Sequence, residues 1–566
     1  MKKTLLGQLL LRNGLIDDLK LQAALAEQKN AAERLGKILL RRGWVKDTDV
    51  TAALAAQFGL SVVELSGQAI DAALGAKISA KFAYRHKIIP LKQEGRVLTI
   101  AASDPLDLHT FDDIRLLLGC DVTVTLATEA EILKALRKLY GVGAEMIEQM
   151  ASGDKAAMAD DGADTGVGVL ETDEDFAIVR FVDQIIREAY ADRATDIHIE
   201  PFEDDLLLRY RIDGILHKAP TPVAVKQFQS AIISRIKIMA NMDIAEKRLP
   251  QDGSIRFRID GADIDLRVST LPILHGESVD IRLLPRTQML LGLEQLGLPP
   301  DHLCQLAALI KRPHGIILVT GPTGHGKTTT LYACLNRINS PDKKIITVED
   351  PVEYQLKGIN QVSVHSKIGL TFANGLRSIL RQDPDVIMVG EIRDQETAAI
   401  AIRSSLTGHL VFSTLHTNDA PGAITRLVDM GIEPYLVSSS IEAVIGQRLV
   451  RLLCPACRKE DNPGREFLAR IGFPAGFSGK IYAQGPGCEA CRHTGYKGRT
   501  GIYELLRMDD HMKQLVLNKT SAGAIKEEAV TRGMRTLRDD GWSKVQAGRT
   551  SIEEIIRVTQ EGDGAE

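Results

Sequence analysis

Residues 321–330 read GPTGHGKTTT and follow the unbroken apolar run GIILVTG. Few stretches constrain a fold more. Glycines at a strand-to-helix turn let successive backbone N–H groups point at one spot. Gly321-x-x-x-x-Gly326-Lys327-Thr328 fits the loop that cradles nucleotide phosphates. The next helix should begin with the positive end of its dipole facing that cradle. Lys327 is placed to neutralise β and γ oxygens, and the Thr328 hydroxyl to ligate Mg²⁺. The expected cradle is Gly321, Pro322, Thr323, Gly324, His325, Gly326, Lys327, Thr328 and Thr329, and its ligand ATP. Around it, GIILVTG, KIITVED, DVIMVGE and HLVFSTLH alternate with helical patterns. That is the signature of a buried, mostly parallel sheet in an α/β domain.

Holding a nucleotide is not hydrolysing it, and hydrolysis needs acids opposite the loop. DVIMVGE ends in Glu391, placed to reach Mg²⁺ or its water shell from a neighbouring strand. ITVEDPVEY offers Glu349, Asp350 and Glu353 at another strand end, where one could orient or deprotonate the attacking water. His409 and His416 flank HLVFSTLH and are both candidates for the nucleotide site. The competing class is a nucleotide-gated scaffold that does not turn over, with these acids as helix caps or solvated loop carboxylates.

The chain has 566 residues, room for about three or four domains. Its formal net charge of −4 argues against nucleic acid as the main partner, and so against a DNA translocase. No apolar stretch is long enough for a membrane span. The start, MKKTLLGQLLLRNGL, imitates a signal peptide, but Gln8 and Arg12 interrupt it, so export is not expected. Two cysteine pairs, Cys454-x-x-Cys457 and Cys488-x-x-Cys491, have the spacing of one tetrahedral Zn²⁺ site. Four thiolates leave no open position, so the metal would be structural; two redox pairs are the alternative.

Residues 5–28 realign on 34–57 with a shift of 29, placing Gly7 and Gly14 on Gly36 and Gly43. Each unit reads as a short helix, a glycine-ended turn and a second helix, making 1–60 a helical module. Residues 61–150 read as a small α+β domain. Residues 151–175 carry eight acids against one lysine and read as a flexible, self-repelling linker. Period-2 strands, two ending in Asp-Gly, fill 176–290. The α/β core is expected over 291–450, the cysteine subdomain over 451–500 and a helical tail over 501–566.

Four segments in order, GPTGHGKTTT, ITVEDPVEY, LRSILRQDPDVIMVGEIRDQETA and TGHLVFSTLHTN, resemble the Walker A, Asp box, Walker B and His box of the secretion ATPases. The resemblance, to the ATPases of type II secretion and type IV pilus assembly, runs from about residue 60 to 560. It implies a RecA-like core, a PAS-like lobe at 176–290 carrying RATDIHIEP, RYRIDG and RLPQDG, and a homohexamer with ATP between lobe and core. Arginines Arg248, Arg267 and Arg282 of the lobe, and Arg377 and Arg381 before Walker B, would complete the site across a domain or subunit boundary. His325 stands where the family usually has serine or threonine. The cysteine subdomain resembles the assembly and secretion branches, and the ending LRDDGWSKVQAGRTSIEEIIRVT the secretion branch.

The family implies a cytoplasmic location, peripheral on the inner membrane. Its partners there would be platform proteins: the cytoplasmic domain of a bitopic anchor and a polytopic core protein. The repeats resemble the cyclic di-GMP module of some of these ATPases, whose pattern begins Arg-Leu-Gly. Arg34, Leu35 and Gly36 match it, with Gly7, Gly14 and Gly43, whereas the first unit has Leu5 at the arginine position. A helical adaptor for a membrane partner is the other reading.

Overall fold

The computed structural model describes residues 6–30, 33–65, 70–152, 173–259, 261–285 and 291–559. Most of the acidic segment, 153–172, lies outside the described residues, as does Leu5. The chain divides into two compact units, 1–256 with 266–283, and 257–265 with 284–566.

The first unit opens with the two repeats. Helices Leu6–Arg12 and Asp18–Asn30 form one, Leu35–Arg41 and Asp47–Phe58 the other. Gly14 (φ 70°) and Gly43 (φ 67°) end the turns in the left-handed region. The repeats share a core of Leu10, Ile16, Leu21, Ile38 and Leu39. A Cβ on Gly7 would lie 2.6 Å from Leu21 Cδ1, and one on Gly36 3.2 Å from Val50 Cγ1. Leu21 and Val50 are themselves 29 residues apart, so both glycines serve the same helix-to-helix approach in each repeat. Close packing therefore explains Gly7 and Gly36 without a ligand.

Strands β1 (Ile88–Glu94), β2 (Val97–Ala102) and β3 (Asp121–Leu126) come next. β1 and β2 are antiparallel; β3 returns parallel to β2 after helix Leu108–Leu118. Helix Asp173–Ala191 then leads to β4 (Ala194–Pro201), β5 (Leu206–Ile212), β6 (Ile215–Lys218), β7 (Gln251–Ile259), β8 (Ala262–Ile273) and β9 (Gly276–Pro285). Their order is β6-β5-β4-β9-β8-β7. Asp213 (φ 49°) and Gly214 (φ 89°) make the two-residue β5–β6 turn that the Asp-Gly pair calls for.

The second unit is built on β10 (Gly315–Thr320), β11 (Ile345–Glu349), β12 (Asn360–Ser363), β13 (Val386–Val389), β14 (Leu410–Leu415), β15 (Ile441–Leu453) and β18 (Tyr496–Arg507), with the short hairpin β16 (Lys459–Asp461) and β17 (Ile481–Ala483) inserted between the last two. The sheet order is β12-β11-β13-β14-β10-β15-β18. Six strands are parallel, and β18 closes the edge antiparallel to β15. Ile316 and Leu318 enter one core, Ile317 and Val319 the other, so both faces of the sheet are covered. That is why β10 is an unbroken apolar run rather than an alternating one. The C-terminal helices Leu537–Gln546 and Ile552–Thr559 bury Trp542, Val545 and Ile555 with Phe473 and Ile481 of the cysteine insert. No helix among the described residues is long and apolar enough to cross a membrane.

Candidate functional site

Parallel strands end together, so the loops that leave them meet at one edge of the sheet. Thr320 of β10 pairs Leu415 of β14, Ser413 of β14 pairs Val389 of β13, and Val389 pairs Val348 of β11. The loop after β10, Glu349, Glu391 and His416 are therefore brought to that same edge.

Gly321 begins the loop with φ 148°, and a Cβ there would lie 2.3 Å from the Gln447 carbonyl oxygen, so only glycine fits. Thr323 and Gly324 are exposed, and Pro322, His325, Thr328 and Thr329 half-buried. Gly326 (φ 80°) caps helix Lys327–Ile338. Lys327 is 8% exposed. Its Nζ donates to the carbonyls of Gly321 at 2.7 Å and Pro322 at 3.1 Å. Burial brings this lysine down to about 8, against the opposing pull of Glu391.

Lys327 Nζ also approaches His416 Nδ1 at 3.5 Å, and His416 Nε2 lies 2.8 Å from Glu391 Oε2. A donor at Nδ1 and an acceptor at Nε2 select the tautomer with the proton on Nε2. Arg393 pairs with the other Glu391 oxygen. Burial would raise the Glu391 carboxyl, but hydrogen bonds from Arg393 and His416 outweigh it and hold the group below its ordinary value. Lysine, imidazole, carboxylate and guanidinium thus form one chain along the edge. Thr320 and Thr417 brace it: their hydroxyls are 2.7 Å apart, and the Thr417 amide donates to Thr320 Oγ1.

Glu349 is placed otherwise. Its buried carboxylate accepts from the hydroxyls of Tyr332 and Thr347, the latter at 2.5 Å, and from Gln361 Nε2 at 3.2 Å. Burial and Glu349 push the Tyr332 phenol up. Asp350 is exposed, and the half-buried Glu353 reaches the Tyr332 hydroxyl through its amide at 3.4 Å.

His409 is corrected. It precedes the N-terminal end of β14, whereas His416 lies just past the C-terminal end, and the six intervening residues span about 20 Å. Its Nδ1 bonds the Ser404 carbonyl at 2.9 Å, so it lies at the opposite end of the sheet from the phosphate loop. Arg377 pairs with Glu396 on the surface. Arg381 lies past the end of helix Phe372–Ile379, its Nη1 on the Arg377 carbonyl at 3.0 Å. In the first unit, Arg248 pairs with Glu246 at 2.7 Å and Arg282 with Asp196 at 3.0 Å, while Arg267 is half-buried on β8. Arg34 pairs with Asp104.

The four cysteine sulfurs lie within 4.8 Å of one another. Cys454–Cys488 and Cys457–Cys491 are 3.7 Å apart and Cys488–Cys491 3.8 Å. A tetrahedron of thiolates around Zn²⁺ has edges of about 3.8 Å, from Zn–S bonds of about 2.3 Å. Three of the six edges match that tetrahedron, and the donor set, four clustered thiols, fits zinc. Amides of Cys488 and Gly495 each donate to Cys491 Sγ at 3.2 Å. Burial works to raise that thiol; these bonds bring it down to about 6.

Arg393, Tyr332, Gln361, Thr320, Thr417 and Gln447 join the site only in the folded chain. The signal for Gln447 was its place as a lone uncharged polar residue inside the strand IEAVIGQRLV.

Fold and site together define a P-loop nucleotide-binding protein. Residues 171–557 match the family described as Type II/IV secretion system protein, and 58–146 match the MshEN domain. The chain belongs to the Type II/IV secretion system protein family. It is 40% identical over 559 residues, 98% of each chain, to the type IV pilus assembly ATPase PilB of Myxococcus xanthus. It is 45% identical to type II secretion system protein E of Xanthomonas campestris pv. campestris, over 86% of this chain and 85% of that one. To the type II secretion system ATPase E of Vibrio cholerae it is 50% identical over 69% and 77%. The MshEN match begins after the repeats and covers the β1–β3 region.

Proposed function

We propose that the chain is the ATP-hydrolysing motor of a type II secretion machine, working as a homohexamer at the cytoplasmic face of the inner membrane. The observation that carries the enzymatic reading is the Lys327–His416–Glu391 chain at the C-terminal edge of the parallel strands. A scaffold needs the phosphate cradle but not an imidazole holding an ionised carboxylate beside it. Identities of 45% and 50% to type II secretion proteins support the branch. ATP closure and hydrolysis would move the 176–290 lobe against the 291–450 core, and platform proteins would receive that motion.

In this reading Lys327 leaves the Gly321 and Pro322 carbonyls for phosphate oxygens. The Thr328 hydroxyl and Glu391 would hold Mg²⁺, which supplies positive charge to the phosphate oxygens. Glu391, kept below its ordinary value, is a weak base and acts by orienting rather than by taking a proton. Glu349 positions the 349–353 turn through Tyr332 and Gln361, and Glu353 is the acid that orients or deprotonates the attacking water. Arg248, Arg267, Arg282, Arg377 and Arg381 are charge partners from across a domain or subunit boundary, which would make hydrolysis depend on closure. The four cysteines hold a structural Zn²⁺.

The test is phosphate release by the purified assembly with MgATP, with Lys327→Ala as control. Equal release by both proteins would end the motor reading.

A second reading, pilus extension, is favoured by the pilus ATPase match over 98% of both chains. Pseudopilin and secretin genes beside this one would decide for secretion. Cyclic di-GMP is a further candidate for the repeats, carried by Arg34, which would have to leave Asp104 for phosphate. Calorimetry of the full chain with cyclic di-GMP tests it; no heat leaves the adaptor.

A further inference from the structure

β10 stops early against β15. Their pairing ends at Thr320–Gly446, yet β15 continues to Leu453 with β18 on its other side. Beyond Gly446, β15 would therefore show a bare edge of amides and carbonyls, which is costly when buried. The phosphate loop lies against that edge. The Gln447 carbonyl is what forbids a side chain at Gly321, and the Leu449 amide donates to His325 Nδ1 at 2.9 Å. The Gln447 side chain, 2% exposed, does more. Its Nε2 donates to the His325 carbonyl at 2.9 Å, and its Oε1 accepts from Thr330 Oγ1 at 2.7 Å. One amide thus ties the loop's fifth residue to the first turn of the next helix.

This matters for the chemistry of an amide nest. For N–H groups to face a phosphate, the loop carbonyls must face away and find donors elsewhere. The His325 carbonyl finds one in Gln447. The His325 ring is neutral: burial, with Arg448 and Lys327 nearby, brings it down to about 4. Its Nδ1 lone pair is therefore free to cap the strand.

We propose that Gln447 is a positioning residue of the nucleotide site, holding the phosphate loop in its binding shape through the His325 carbonyl and Thr330. His325 shares the task through the Leu449 amide. The inference rests on the nucleotide reading above and names no contact with substrate. A positioning residue improves the fit of a preformed loop to phosphate, so its loss weakens ground state and transition state alike. The signature is a change in KM with little in kcat.

The experiment compares the full-length protein with Gln447→Met, which keeps the volume and loses both hydrogen bonds, and Thr330→Val, which removes one. MgADP affinity is measured by calorimetry, and KM and kcat by phosphate release with MgATP. Gln447→Met is expected to raise Kd and KM about five- to tenfold, with kcat within about twofold, from two buried hydrogen bonds. Thr330→Val should raise both about threefold, and it decides the matter if the first variant does not fold. A purely structural defect lowers the active fraction and leaves Kd and KM unchanged, which would overturn the proposal. If Lys327→Ala weakens MgADP while both variants bind as tightly as wild type, the positioning role falls and the nucleotide reading stands. If the wild type binds no MgADP, both fall.

Discussion

His416 Nε2 lies 2.8 Å from Glu391 Oε2, while the other nitrogen of the same ring faces Lys327 Nζ at 3.5 Å. One imidazole therefore couples the lysine proposed to meet phosphate to the carboxylate proposed to meet metal or water. Glu391 is 14% exposed and His416 43%, so the ring is the more open member and the one a neighbouring group can move.

That coupling predicts how the two variants differ. Glu391→Gln removes the charge proposed to hold Mg²⁺ and orient water, and should lower kcat at least about a hundredfold. His416→Ala leaves the charge but not its orientation, with Arg393 still in place. Its kcat should fall about tenfold. Steady-state phosphate release measures both, and equal losses would show that the ring does more than orient.

A second prediction comes from Lys327. Burial brings it to about 8, and a phosphate chain beside it would favour the charged form and raise that value. Binding then takes up a proton wherever the free lysine is partly neutral, at and above about pH 8. Affinity should therefore fall as pH rises past about 8, by up to about tenfold per unit. Calorimetry at about pH 8.5 in two buffers of different ionisation enthalpy would reveal the uptake. Identical heats in both would mean a lysine fully charged before binding.

Much of this site was legible in the sequence, and the reason is local. A glycine-rich turn after a strand, an acid at a strand end and each C-x-x-C pair are marked by residues a few positions apart, so Gly321–Thr329, Glu391 and the four cysteines stood out. What was hidden is made by pairing across the chain. Gln447 meets His325 across 122 residues and Thr330 across 117, and His416 meets Glu391 across 25. His409 was misplaced because two histidines flanking one strand look equivalent in sequence, while a strand carries its ends to opposite edges of a sheet. The glycines of the N-terminal repeats were visible, but not that Leu21 and Val50 fill the space over them.

The cysteine cluster gives a third prediction. The metal should be zinc, one equivalent per chain, and Cys454→Ser should lose it. Because Phe473 and Ile481 of the insert pack with Trp542 and Ile555, loosening the insert should also loosen the C-terminal helices. Elemental analysis and hydrogen exchange of residues 537–559 test the two halves. Full protection of that segment in a zinc-free variant would show that the core holds itself together without metal.

The last prediction concerns Glu504, on β18 and 1% exposed. Its two oxygens accept from the amides of Ala420 at 2.6 Å and Leu537 at 3.3 Å, the first residues of two helices. Burial nonetheless raises it to about 7, with Asp419 adding to the shift and Lys526 opposing it. Proton counting gives the sign. Between pH 4.5 and about 7 the folded chain holds this proton and the unfolded chain does not, so stability falls as pH rises through that window. The shift corresponds to roughly 2–3 kcal/mol across it. Glu504→Gln cannot ionise and should escape this loss, although its amide leaves one of the two helix amides without an acceptor. The variant should therefore be the less stable protein at about pH 5 and gain on wild type by roughly 2–3 kcal/mol by about pH 8. Urea unfolding of both proteins at the two pH values measures the gap. A gap that does not change with pH would mean that Glu504 is ionised in the folded chain throughout, held by its two helix amides and Lys526.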